Sequence, residues 1–323
     1  MWRLSTCASD AWKVKMSELF DAQLFGTAIR QATPLILAAL GGLMSERVGV
    51  INIGLEGKIL IGAFAAALGA LLTGSPLVGL ACAILVGLTL ALLHAVATQE
   101  LRTDHIVSGV AINLLALGLS TYLFRQVILP REEAGESSVV HMFGAVSLGG
   151  LENLPILNAL LKDQSWLTVF ALLLPFGLLW LLTRTRWGLR VNAVGNDSLK
   201  ARTMGVPVKR MRYMGVLWSG VFASMAGAFL VLAATGQFRE NMSAGRGFIA
   251  LAALIFGRWH PLGAAAAALG FGFFEALQMR LQGQPVFGVQ LPTDLLLMLP
   301  YLLTVIALMG LLGRMKPPSD LGN

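Results

Sequence analysis

Charge is scarce in this sequence. Only 13% of its 323 residues are Asp, Glu, Lys or Arg, about half the 25% typical of a soluble chain. Two ordinary soluble domains, the prior that length alone sets, cannot be coated with so few charges. Cysteine is nearly missing: Cys7 and Cys82 are the whole supply, and Cys82 sits in an apolar run, so no disulfide framework holds the fold. The four histidines, His94, His105, His141 and His260, are too scattered for a metal set. No carboxylate pair, Ser–His–Asp set or Cys–His arrangement is visible. Leu4-Ser5-Thr6-Cys7 faintly resembles a lipidation box, but no apolar signal region precedes it. These absences exclude a soluble enzyme, a disordered chain and a secreted disulfide scaffold.

What is there is apolar: 56% of the residues are hydrophobic. Several of about nine apolar runs reach or approach the roughly 20 residues that cross a bilayer. They lie near 23–44, 48–73, 77–98, 105–129, 166–183, 211–235, 243–257, 261–282 and 291–312. The chain therefore reads as an all-α polytopic membrane protein, with residues 1–22 as an interfacial segment. Two runs are peculiar. The second opens on Gly49-Val50-Ile51-Asn52-Ile53-Gly54-Leu55-Glu56-Gly57, and the seventh on Ser243-Ala244-Gly245-Arg246-Gly247 with a short apolar stretch before Arg258. Both predict broken or partial helices, which survive at membrane depth only against protein or a wet cavity.

The net charge of +7 is read by position. Residues 184–212 carry eight Lys and Arg against Asp197, whereas 130–165 is acidic. Basic loops stay on the cytoplasmic side, so the first loop is expected inside, the second outside, and the 313–323 tail inside. A repeat is visible as well. The run from Gly57, Ser75-Pro76 and an Ala/Leu/Gly-rich helix correspond to the run from Gly247, His260-Pro261 and another Ala/Gly-rich helix. The copies start on opposite sides, which makes them inverted repeats of about 23–129 and 211–312 within one permease domain, 23–312, with the pathway expected where they meet. Gly62, Ala66, Gly69 and Ala70, and likewise Gly263, Ala267 and Gly270, fall on single helix faces and predict close packing.

Within the basic loop, taken as 184–210, Asn196 or Asp197 can cap a short helix starting near Ser198, Gly205 can end it in the left-handed conformation, and Pro207 blocks continuation. A rigid, capped, basic stub suits a lever for a partner; a solvated positive loop is the plainer alternative. Glu56 and Asn52 line a pathway or hold the broken helix against a neighbour, or Glu56 merely sits in the first turn of a helix beginning near Gly57. Asn113, Glu275 and Gln278 are polar groups inside apolar runs. Asn113 suits an interhelical hydrogen bond, and the other two either meet solute or link helices. Phe248 and Phe271 can stack on a planar ring or belong to core or lipid. Arg30 and Arg125 are expected to snorkel or pair.

Four stretches carry a family resemblance. Gly195-Asn196-Asp197 through Ala201 to Gly205-Val206 resembles the coupling segment of bacterial ABC importer permeases of the branched-chain amino acid and simple-sugar class. Ser45-Glu46-Arg47 through Gly57, followed by Ile61-Gly62-Ala63, is similar to a hallmark of that class, as is Gly245-Arg246-Gly247-Phe248 through Phe256-Gly257. With Ile106 through Asn113 they look closest to the nucleoside branch, over residues 25–310. The resemblance implies a type II importer fold and no cofactor. It also implies four kinds of companion: a cytoplasmic ATPase, a second permease subunit that makes a heteromeric pair, an extracytoplasmic binding protein, and a bacterial plasma membrane around them. No nucleic acid is implied. A simple sugar is the alternative solute, and an ion-coupled carrier titrating at Glu56 and Glu275 the alternative mechanism. The chain has no ATPase loop of its own: Asn52 through Lys58 lacks both the first Gly and the Ser/Thr after Lys.

Overall fold

In the computed structural model the described residues are 22–145, 164–282, 285–286, 289–290, 298 and 317–322. The ninth predicted run, nearly all of the 1–22 segment and the second half of the acidic loop lie outside them. Seven described helices are long and apolar enough to cross a membrane. In chain order the helices are α1 (Ala22–Glu46), α2 (Leu55–Thr73), α3 (Pro76–Gln99), α4 (His105–Leu123) and α5 (Leu129–Glu133), then α6 (Trp166–Arg184), α7 (Arg186–Asn196) and α8 (Ser198–Thr203), and finally α9 (Val208–Phe229), α10 (Arg246–Phe256) and α11 (Pro261–Leu281). A two-residue hairpin pairs Pro285–Val286 with Val289–Gln290 antiparallel.

Local chemistry explains the boundaries. Pro76 and Pro261 start α3 and α11, where a missing N–H costs nothing and φ is already helical. The Asp104 carboxylate accepts from the backbone of Ile106 and Val107 and opens α4. Gly49, at φ +87°, closes α1: Val50 N–H bonds back to the Ser45 carbonyl and Gly49 N–H to that of Glu46, the paired pattern of a left-handed helix stop.

Helices α1, α2 and α9 are mostly buried and form the centre, while α3, α4 and α6 turn broad apolar faces outward. The lining of small residues lets the central helices approach. Gly62 sits against the Ser224 backbone, and Gly272 against Ala28 and Ala32. Of the second predicted small-residue set, Gly263 is in close contact with Gly257 and Ala267 packs against the main core, whereas a side chain at Gly270 would meet nothing within 4 Å. The prediction for that residue was a packing face, and it fails because α11 packs on α1 through Gly272 instead.

Chain direction inverts the halves. The ends of α1 and α3 meet the loop carrying α7 and α8, through Arg47 to Asn192 and Glu100 to Lys209; this is the basic end. Helix α3 runs toward it. Helix α10 ends there too, at Trp259, so α11 runs away from it toward Leu24 and Ala28. The matched helices α3 and α11 thus point oppositely, as inverted repeats require.

Three features differ from the sequence expectation. Arg186–Asn196, within the stretch taken as loop, is helical: Thr185 caps α7, its hydroxyl accepting from Gly188 N–H at 3.1 Å. The second run becomes helical at Leu55, two residues before Gly57. The fourth and sixth runs both pass into π-helical turns, Phe124–Ile128 and Leu230–Thr235.

Candidate translocation and coupling site

Helix α10 has 11 residues, about 16 Å at 1.5 Å per residue, half the hydrocarbon core. Its C-terminus is at the basic end, so its N-terminus lies near mid-depth. The Glu56 carboxylate meets it there. Oε1 accepts the Gly245 N–H at 2.8 Å and Oε2 the Gly247 N–H at 2.6 Å. Glu56 also sits in the first turn of α2. One carboxylate therefore serves two helix N-termini, the positive ends of two half-repeats that would otherwise repel. Glu56 thus holds the short helix against its neighbour and also occupies the first turn of α2. Gly247 is small because a methyl group there would collide with the Glu56 backbone.

A second set of polar groups braces the irregular turn before α2. Asn113 of α4 accepts from Gly57 N–H at 2.8 Å and donates to the Ile53 carbonyl at 3.1 Å. Gly54 packs against Gly109 and Ile112. Asn52, fully buried, donates to the Ser219 hydroxyl and accepts from Lys58 Nζ at 2.9 Å. His94 joins the same turn, with Nδ1 and the Ser108 hydroxyl 2.9 Å apart and Nε2 3.1 Å from the Ile51 carbonyl. Sequence reasoning missed Lys58 as a structural group. Its signal was plain, the single Lys of an apolar helix whose other charged residue is Glu56, and it is 0% exposed. An ammonium at such depth needs polar company, and Asn52 supplies it.

On the other side of Arg246 lies a recess of about 380 Å³ lined by Arg30, Gln31, Thr235, Gln237, Arg239 and Arg246, with Phe229 and Met242 among its apolar walls. The irregular backbone of 237–245 leads from the π-helical turn down to it. Such backbone, and three guanidinium groups, are compatible with membrane depth only against protein or beside a hydrated cavity. Arg246 Nε and Glu275 Oε2 are buried without a hydrogen-bond partner. Gln278 is buried on the same helix, Phe248 is half exposed, and Phe271 is buried against Phe256 at 5.8 Å. Phe271 is thus core rather than a stacking platform. Arg125 pairs with Glu240 at 2.8 Å. Among the described residues no three or more His, Cys, Asp or Glu stand together.

At the basic end, the Asp197 carboxylate caps α8 by accepting Lys200 N–H at 2.8 Å. That backbone bond and the Lys200 ammonium hold Asp197 below the usual carboxylate range. Asn196 is the last residue of α7, and Asp197 is the cap. Gly205, at φ +79°, donates to the Arg202 carbonyl and Val206 to that of Ala201, a Schellman stop. This pattern explains why Ala201, Gly205 and Val206 stand at their spacing: Ala201 is buried, Gly205 adopts the left-handed turn, and Val206 closes it. Leu199 and Met204 project outward, 72% and 84% exposed. Beside them a groove of about 1000 Å³ is lined by Glu100, Arg102, Arg202, Lys209 and Arg210.

This stub is tied to the helical body. Gly195 lies so close to the Arg47 carbonyl that no side chain fits between them. Arg47 Nη1 donates to Asn192 at 3.0 Å, and its Nε and Nη2 donate to the Trp259 carbonyl at 2.9 and 2.6 Å. The Trp259 indole N–H donates to the buried Glu46 carboxylate. Arg258 and Trp259 both have positive φ, 54° and 52°, a strain that persists only where surroundings enforce it; the Glu46–Arg47 clamp does so. Sequence reasoning quoted Glu46 and Arg47 within a motif but gave them no role. Their partners lie more than 140 positions away.

The arrangement combines a recess lined by arginines, two half-helix N-termini joined by one carboxylate, and a short capped helix with two exposed apolar side chains. The sequence matches the family described as branched-chain amino acid transport system, permease component, over residues 24–308. It is 40% identical over 298 residues to the guanosine ABC transporter permease protein NupQ of Bacillus subtilis, covering 90% of this chain and 92% of that one. It is 38% identical to the nucleoside ABC transporter permease protein NupC of Lactococcus lactis, with 89% and 92% covered. It is 35% identical to the putative glucose ABC transporter permease protein TsgC13 of Haloferax volcanii, with 88% of each covered.

Proposed function

The chain belongs to the branched-chain amino acid transport system permease family, and we propose that as such a permease it carries a nucleoside inward across a bacterial plasma membrane, driven by an ATPase that docks on α7–α8. The basic end then faces the cytoplasm, in keeping with the distribution of Lys and Arg. The single observation that carries the mechanism is the capped stub with its two outward apolar side chains, held at Gly195 and Asn192 to the clamp of Glu46 and Arg47. A push on the stub reaches Trp259 at the end of α10. From there it reaches Glu56 at the start of α10, where the two half-repeats meet. Residues Gly195, Asn196, Asp197, Ala201, Gly205 and Val206 form the handle. Asn52, Gly54, Glu56, Gly57, Asn113 and Gly247 form the hinge.

The hydrated recess receives the solute. Its Arg246, with Glu275 behind it, offers a donor to the carbonyl groups of a base, and apolar walls cover the ring. A second permease subunit completes the path, since one chain with a half-open recess does not enclose a channel. That this chain is similar to two guanosine ABC transporter permease proteins of Bacillus subtilis, NupQ and NupP, supports such a pair. A binding protein delivers solute from outside. Glucose is the second reading, favoured by the Haloferax relative.

The test is ATP-dependent uptake of labelled guanosine in vesicles holding the chain with its companion subunits and binding protein. Uptake is expected to saturate, to be displaced by other nucleosides and to ignore excess glucose. Displacement by glucose alone would transfer the chain to the sugar branch. Uptake that persists without ATP and collapses with an ion gradient would overturn the mechanism.

A further inference from the structure

The C-terminal residues 317–322 return to the basic end and lie across three elements at once. Asp320 N–H donates to the Gly195 carbonyl at 3.0 Å, at the end of α7. The Asp320 carboxylate receives Arg212 Nη2 of α9 at 2.8 Å, with only 16% and 13% of the two side chains exposed. Gly322 N–H donates to the Gly49 carbonyl at 2.9 Å and the residue rests on Ile51, three positions before Gly54. Leu321 packs against the main core. Gly49 is itself left-handed, and a side chain there would meet the Asp320 carbonyl. The six-residue segment thus joins the stub, the turn before α2, and α9.

This placement has a mechanical consequence. Among the described residues, the stub otherwise meets the turn region through Arg47, by its close approach to Gly195 and its bond to Asn192, while Val191, Val194 and Ala201 seat it on the core. The segment 317–322 adds a second attachment between the stub and that turn. We propose that residues 317–322 are a strap, and that Asp320 is a positioning residue which fixes the angle of α7–α8 so that a push on the stub moves the 49–54 turn instead of merely rotating the stub. The inference rests on the handle reading of α7–α8. It adds that coupling needs a second attachment made by the tail. The Arg212–Asp320 pair is well enough shielded that salt does not screen it as it screens a surface pair.

The complete complex in lipid nanodiscs tests this, with solute moved per ATP hydrolysed as the readout. Three variants are compared with the parent: Asp320→Asn, a chain ended after Ser319, and the exchanged pair Arg212→Asp with Asp320→Arg. Asp320→Asn keeps both backbone bonds and is expected to lower the ratio roughly fivefold, the factor carried by 1 kcal/mol, by raising solute-independent hydrolysis. The shortened chain lowers it further, and the exchanged pair recovers most of the loss. A photo-cross-linker at Leu199 is run on the same preparations. An unchanged ratio in Asp320→Asn, with the cross-link to the ATPase intact, overturns the strap and leaves the handle standing. No cross-link in the parent complex removes the handle and the strap with it. If the shortened chain does not assemble, Asp320→Asn and the exchanged pair decide.

Discussion

Replacing Glu56 with alanine is expected to abolish uptake and to lower the unfolding temperature of the purified chain by several degrees. Its carboxylate accepts the Gly245 and Gly247 N–H groups at the start of α10. Hydrogen bonds to a charged group contribute about 1.5–3 kcal/mol each, and a buried donor left unsatisfied costs about as much again. Losing two is a large share of the roughly 5–15 kcal/mol that holds an ordinary domain together. The loss also leaves two helix N-termini facing each other without an anion between them. Glu56→Gln separates the terms. Its single amide oxygen can serve one of the two donors, and its NH₂ group turns a donor toward the other. Partial retention of stability with uptake still lost is the expected result, measured by thermal unfolding in detergent and by vesicle uptake. Glu56→Gln with full uptake would show that the negative charge is not what joins the halves.

The second large effect is expected where stability should not change at all. Leu199 and Met204 are 72% and 84% exposed on the stub, and surface replacements of that kind usually alter stability by less than about 0.5 kcal/mol. Yet apolar side chains this exposed, on a short helix capped at both ends, suit anchors in a partner's groove. Buried interface anchors are commonly worth 2 kcal/mol or more. Leu199→Asp together with Met204→Asp is therefore expected to leave the chain folded and the unfolding temperature unmoved. ATP-dependent uptake should fall by at least about tenfold, and the ATPase should co-purify poorly. Normal co-purification and normal uptake in this double variant would place the ATPase elsewhere.

The handle was legible in the sequence because its signals are local. Asp197, Gly205 and Pro207 act on backbone within a few residues, and the structure shows the cap and the left-handed stop at those positions. The Pro76 and Pro261 helix starts are local for the same reason. The hinge was only half legible. Glu56 and Asn113 declare themselves as polar groups in apolar runs, but the partner of Glu56 is 189 positions away, beyond any pattern in neighbouring residues. Lys58 was hidden by its company in a glycine-containing motif that first invites comparison with a phosphate loop. Helix α7 was read as loop because its charge overshadowed Trp187, Val191 and Val194, whose spacing of four and three is a helical stripe. The π-helical turns carry no residue signature, and Gly270 shows that a small residue on the right face need not meet a neighbour.

The account depends most on the stub being the point where a separate ATPase grips this chain. A photo-reactive amino acid placed at Leu199, in cells carrying the whole transporter, tests this directly. The expected product is a covalent adduct with the ATPase subunit whose yield changes when ATP is trapped. Reaction of Leu199→Cys with a membrane-impermeant maleimide added outside intact cells, with no ATPase adduct, would contradict the account at its root.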